Sequence, residues 1–156
     1  MGVIAMTRAE EMLRAARTIL LVDWPSRDVP DTLARAGYTV VVKGGPEPDN
    51  YSAYEMQDAE VVTRRVGQPP EHADLVYTHR PLNELSDIAA MARSIGAKAV
   101  WYQSGVDAAG ADHPAGCWVP EDVSRQARAI VESAGLTYVE DIYIADAARR
   151  VSAGDR

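Results

Sequence analysis

The chain has 156 residues, 47% hydrophobic and 25% charged, which suits one globular domain over residues 1–156 and excludes a disordered chain. The 16 basic residues stand against 23 acidic ones, a formal charge of −7; this argues against nucleic acid or an anionic membrane as the main partner, since both select basic surfaces. Cys117 is the only cysteine, which excludes an internal disulfide and a thiolate metal cluster and fits a reducing cytoplasm.

In chain order, Thr7 and Glu10 form a capping-box pattern. Ala9, Leu13 and Ala16 share a face, which predicts a short helix over about 8–16. Thr18–Val22 is a continuous apolar run ending at Asp23, as in a strand covered on both faces. It is too short, and follows too many charges, for a signal peptide or a membrane span. Asp28 and Pro30 open a second helix that stops at Gly37. Tyr38–Val42 is the second strand, broken by Lys43-Gly44-Gly45-Pro46. Residues 46–59 read as loop with one helical turn, and Val61–Val66 as a short extra strand. The acidic stretch 44–74 reads as a solvated connection.

Asp74–His79 is the third main strand, closed by Pro81. Leu85, Ile88, Ala89, Ala92 and Ile95 then mark an amphipathic helix stopped by Gly96. Lys98–Tyr102 is the fourth strand; 106–119 is a loop rich in Gly, Ala and Asp, anchored by Trp118. A helix over about 120–134 turns Val123, Ala127, Ile130, Val131 and Ala134 inward and stops at Gly135. Leu136–Val139 is the fifth strand, and the tail is helical around 145–151. This alternation predicts a Rossmann-like, doubly wound α/β fold: a five-stranded parallel sheet, order 3-2-1-4-5, with helices on both faces.

In such a sheet, ligands bind beyond the carboxyl ends of the strands at the switch point, here expected between the first and fourth strands. The candidate residues follow each strand: Trp24, Pro25, Ser26 and Arg27; Lys43, Gly44 and Gly45; His79, Arg80 and Pro81; Gln103, Ser104 and Gly105. Arg27, Lys43 and Arg80 put one cation on each of three loops and can hold phosphate, helped by amides at the start of the helix after the first strand. The alternative is that each cation is solvated or pairs with a carboxylate such as Asp23 or Asp28. Gly44-Gly45 can let backbone approach a ligand, or simply turn the chain. No G-x-G-x-x-G follows the first strand and no P-loop is present, which argues against an ordinary dinucleotide dehydrogenase. His72, His79, His113 and Cys117 make no recognised metal spacing. Cys117 reads as a small buried residue, and His79 as structural or crevice-lining. No catalytic residue is assigned.

The chain resembles the CoA-binding-domain family, small bacterial Rossmann-like proteins related to the nucleotide-binding domain of the succinyl-CoA synthetase α subunit. The resemblance is spread over roughly 17–146. It is carried by Ala36-Gly37-Tyr38, Ala73-Asp74-Leu75-Val76, Arg80-Pro81, Ile95-Gly96-Ala97-Lys98-Ala99-Val100-Trp101 with Gln103 and Gly105-Val106, and Ala134-Gly135-Leu136-Thr137 leading to Asp141. It implies coenzyme A or an acyl-CoA as ligand. The first loop would face phosphates or pantetheine, the loops after strands two and three the nucleotide end, and Ser104-Gly105 would close the other side. The family's Gly-x-Ser type first loop is replaced by Asp23-Trp24-Pro25-Ser26, where Asp23 would repel phosphate. Residues 107–119 read as an insertion, forming a lid or a contact surface.

The synthetases also need a phosphohistidine on a further domain and a nucleotide-grasping partner. The expectation is therefore a cytoplasmic, non-catalytic CoA-binding protein, alone, as a homodimer or with a partner protein. The alternatives are an interaction or regulatory module that has lost CoA, and a small enzyme acting on a nucleotide or acyl thioester through His79 or Cys117.

Overall fold

The computed structural model describes residues 7–154. Helix α1 (Arg8–Ala15) starts at Thr7, whose hydroxyl oxygen accepts from the Glu10 amide at 3.1 Å. The expected cap is therefore present. Strand β1 (Thr18–Val22) leads through a bend into α2 (Asp28–Arg35), then β2 (Thr39–Lys43). An antiparallel hairpin follows, β3 (Tyr51–Gln57) and β4 (Glu60–Arg65). After it come β5 (Leu75–Thr78), a 3-10 turn (Leu82–Glu84), α3 (Leu85–Ser94), β6 (Ala99–Tyr102), α4 (Glu121–Ser133), β7 (Thr137–Val139) and α5 (Ile144–Gly154). Glycines 37, 96 and 135 all adopt positive φ just past their helices, as helix-stopping glycines do.

The sheet runs β4-β3-β2-β1-β5-β6-β7. Five strands are parallel, and the hairpin is the antiparallel edge. The Rossmann-like α/β class holds, but strand count and order differ from expectation. Among the parallel strands the order is second, first, third, fourth, fifth. The reason is the hairpin: β3 pairs with the outer edge of β2, so that edge is closed to β5. Asp74 instead clips the start of β5 to β1, its carboxylate accepting from the amides of Arg17 at 2.8 Å and Thr18 at 2.9 Å. The supposed loop over 46–59 thus contains a strand, and the weakly marked 61–66 segment is its partner, β4.

Strand alternation divides the core into two layers. Ile19, Leu21, Val40, Val42, Tyr54, Leu75, Tyr77 and Trp101 face α1, α2 and α5. Leu20, Val22, Val41, Val76, Val100, Tyr102 and Tyr138 face α3 and α4. Because β1 sends its connection to one face and β5 to the other, the switch point lies between them, not between the first and fourth strands as expected.

Candidate functional site

Beyond the carboxyl ends of β1 and β2 lies a cavity of about 490 Å³, lined by Val22, Asp23, Lys43, Gly45, Pro46, Arg80 and Glu84. It opens on the α3 side of the sheet: Val22 belongs to that core layer and Glu84 immediately precedes α3. Two of the three expected cations, Lys43 and Arg80, meet here.

Their situations differ. The Arg80 guanidinium donates to Glu84 Oε2 from Nη2 at 2.7 Å and Nε at 3.1 Å, and to Asp23 Oδ2 from Nη1 at 3.1 Å. Glu84 first, and then Asp23, hold Arg80 above its ordinary pKa. The Lys43 ammonium donates to the Gly45 carbonyl at 3.1 Å, and among the described residues it has no carboxylate partner. Of the two cations, Lys43 is therefore the one not held by a carboxylate among the described residues. Glu84 was not anticipated from the sequence, although it sits four residues after Arg80, the spacing at which helical ion pairs form. Asp23 holds φ at 61°, a left-handed conformation that Asp tolerates better than most residues. It also accepts from the Trp24 amide at 2.9 Å.

Trp24 turns away from this cavity. It packs on the α2-side core and meets Tyr54 edge-on with ring centroids 6.5 Å apart. Arg27 lies on the same side, 5.5 Å over the Tyr54 ring and 3.5 Å from Asp31, with its side chain 65% exposed. A Cβ on Gly44 would touch Asn50 and Trp24, and one on Gly45 would press on Glu47 and Asn50. This turn is therefore filled from behind by its own side chains. Ser26 Oγ is enclosed at the start of α2 without a hydrogen-bond partner of normal geometry among the described residues. It still lies close enough to the Tyr143 hydroxyl to offset part of that group's rise; burial, then the Asp28 contact, push Tyr143 up to about 12.

The loops one strand further on are tied to the scaffold. Gln103 is 1% exposed; its Oε1 accepts from the Tyr77 hydroxyl and its Nε2 donates to the Pro114 carbonyl at 2.8 Å. His79 Nδ1 meets the Gln103 carbonyl at 2.9 Å. Since a carbonyl only accepts, Nδ1 carries the proton there. Ser104 Oγ bonds within its own turn to Val106, and Pro81 precedes the 3-10 turn. A Cβ on Gly105 would collide with the His79 ring, and one on Gly116 with the Val106 backbone. Residues 105–118 are laced by backbone bonds between 105 and 116, 113 and 105, and 118 and 106. Trp118 is 38% exposed, and its amide bonds the Val106 carbonyl at 3.1 Å. Cys117 is buried, and burial, with Asp141 and Asp146 nearby, pushes its thiol up to about 12. It is a protonated thiol at neutral pH.

The geometry partly fits a phosphorylated ligand. The open cavity and Lys43, which has no carboxylate partner among the described residues, favour one, whereas Asp23 and Glu84 work against it. No group of three or more His, Cys, Asp or Glu residues suited to a metal occurs among the described residues. No described helix is long and apolar enough to cross a membrane.

A doubly wound sheet with a polar cavity beyond its switch point defines the class of Rossmann-like ligand-binding domains. The comparison with known families goes one step further. The family model described as CoA binding domain matches residues 21–144, from the fourth residue of β1 to the first residue of α5, and the chain belongs to that family. No curated protein matches it.

Proposed function

We propose that this chain binds coenzyme A or an acyl-CoA at the carboxyl edge of β1, β2 and β5, and that it performs no covalent step of its own. The observation that carries the reading is the coincidence of the family match over 21–144 with a cavity at the switch point lined by Lys43, which no described carboxylate engages. Lys43 would neutralise phosphate, with the first-turn amides of α2 as further donors; Ser26 would join them only if ligand binding uncovered its enclosed hydroxyl. Arg80 would contribute only as far as Asp23 and Glu84 release it. Trp24, Pro25 and Arg27 would border the ligand from the α2 side, with Gly44-Gly45 as the backbone wall. His79, Pro81, Gln103, Ser104 and Gly105 would shape the far wall.

The buried, protonated Cys117 thiol speaks against thioester chemistry through that residue. A cytoplasmic location belongs to the same reading.

One observation favours a second reading, an interaction module without CoA: the family's small first loop is replaced here by one whose Asp23 already occupies Arg80. Native mass spectrometry of the purified chain, with CoA, acetyl-CoA, NAD or ADP added in turn, separates the two. A one-to-one CoA or acetyl-CoA adduct that persists where NAD gives none is expected. Equal, collision-labile adducts with all four would favour the module.

A further inference from the structure

The charged side chains lining the cavity are Asp23, Lys43, Arg80 and Glu84, so the lining is electrically neutral, and its guanidinium is spent on its own carboxylates. Asp23 and Glu84 together engage Nη1, Nη2 and Nε of Arg80, the donors with which an arginine grips a phosphate. The pair is open to approach from solvent: side-chain exposure is 39% for Arg80 and 44% for Asp23. Glu84 is a local partner, four residues from Arg80. Asp23 is 57 positions away in sequence, and it reaches Arg80 from the left-handed start of the first loop.

We propose that Asp23 is a built-in competitor for the ligand's phosphate: it occupies Arg80 in the free protein, must be displaced when a phosphate binds, and so sets the anion selectivity of the cavity. The inference rests on the CoA-binding reading for the identity of the ligand, but not for its physics. A carboxylate within about 3 Å of the guanidinium neutralises most of its pull on a second anion and repels that anion directly. Such a device lowers affinity for every strongly anionic group and leaves uncharged ones unaffected, which is selectivity by repulsion. Among anions, it penalises most those whose phosphate must reach Arg80.

Asp23→Asn tests this with little disturbance of the fold. Asparagine tolerates the left-handed backbone at least as well as aspartate, and its side-chain oxygen can still accept from the Trp24 amide. Wild type and Asp23→Asn are titrated calorimetrically with CoA, uncharged pantetheine and inorganic pyrophosphate, at low and moderate salt. Asp23→Asn is expected to bind CoA and pyrophosphate about tenfold tighter than wild type, as loss of a close like charge implies. The gain should shrink with added salt, and pantetheine binding should not change. If wild type binds CoA and Asp23→Asn gains for neither anion, the competitor is overturned and the CoA reading stands. If no variant binds CoA but Asp23→Asn gains for pyrophosphate, the CoA reading falls and the competitor stands. An equal gain for pantetheine, or no gain for any probe, overturns the competitor.

Discussion

Gln103 bonds the Tyr77 hydroxyl and the Pro114 carbonyl from a fully buried position, and its backbone carbonyl orients His79. One side chain therefore joins β5, β6 and the 104–119 loop. Replacing it with leucine leaves the Tyr77 hydroxyl and the Pro114 carbonyl without partners, at about 2 kcal/mol of stability in all. Urea unfolding of Gln103→Leu should show a lower midpoint with an unchanged slope, and an unchanged midpoint would refute this role. Gly105 offers a second residue-level check. Gly105→Ala meets both a positive φ and the His79 ring, whereas Gly110→Ala meets a positive φ with nothing within 4 Å. The Gly110 change should cost about 1 kcal/mol, and the Gly105 change distinctly more; equal losses would show that the His79 ring yields freely. In the sequence, Gln103, Ser104 and Gly105 read as ligand-facing because they follow a strand. Nothing in their order reveals that the loop after them folds back and claims them.

Among the strands, β3 departs furthest from what its sequence predicts. Tyr51-Ser52-Ala53-Tyr54-Glu55-Met56-Gln57 carries no β-branched residue and only two strand-favouring tyrosines, so pairing with β2, more than propensity, makes it a strand. Its hairpin turn is equally hidden. Asp58 and Ala59 both take positive φ, 52° and 68°, the geometry of a type I′ turn without the glycine that normally announces it. Missing the hairpin left the outer edge of β2 free in the expected topology and moved the switch point by one strand. By contrast, the apolar runs of β1, β5 and β6 and the helical periodicity of α3 and α4 were legible, because burial on both faces or on one stripe writes itself into composition.

Helix packing supplies a pH prediction. Asp28 joins α2 to α5, accepting from Tyr143 at 2.7 Å, from Thr32 at 3.0 Å and from Arg149. Burial, the largest single influence, raises its pKa, but the bonds from Tyr143, Thr32 and Arg149 together outweigh it and hold the carboxyl below 3.8. A folded-state pKa lower than the unfolded one contributes stability that is fully present above the unfolded value and lost as pH falls through the folded one. Asp28→Asn should therefore be less stable than wild type near neutrality, and the gap should narrow below about pH 4. A gap independent of pH in acid unfolding would contradict the assignment.

For the whole molecule, the two core layers and the parallel order place Lys43, Asp23, Arg80 and Glu84 around one cavity although they stand at or beyond the ends of three different strands. The sequence could list the three cations and could not say which would meet: Arg27 went to the Tyr54 side with Trp24, leaving the cavity unobstructed by that ring. The first loop therefore bears on this cavity through the charge of Asp23 and not through the bulk of Trp24. Among the described residues, the cavity holds one cation without a carboxylate partner, Lys43, and one held by two carboxylates, Arg80.

Calorimetric titration of the full chain and of Lys43→Gln with CoA decides whether this edge of the sheet binds CoA through Lys43. Saturable one-to-one binding by the wild type is expected, weakened about tenfold by loss of one charge-assisted phosphate contact. No heat of binding to the wild type at high micromolar CoA, or equal affinity in both proteins, would contradict it.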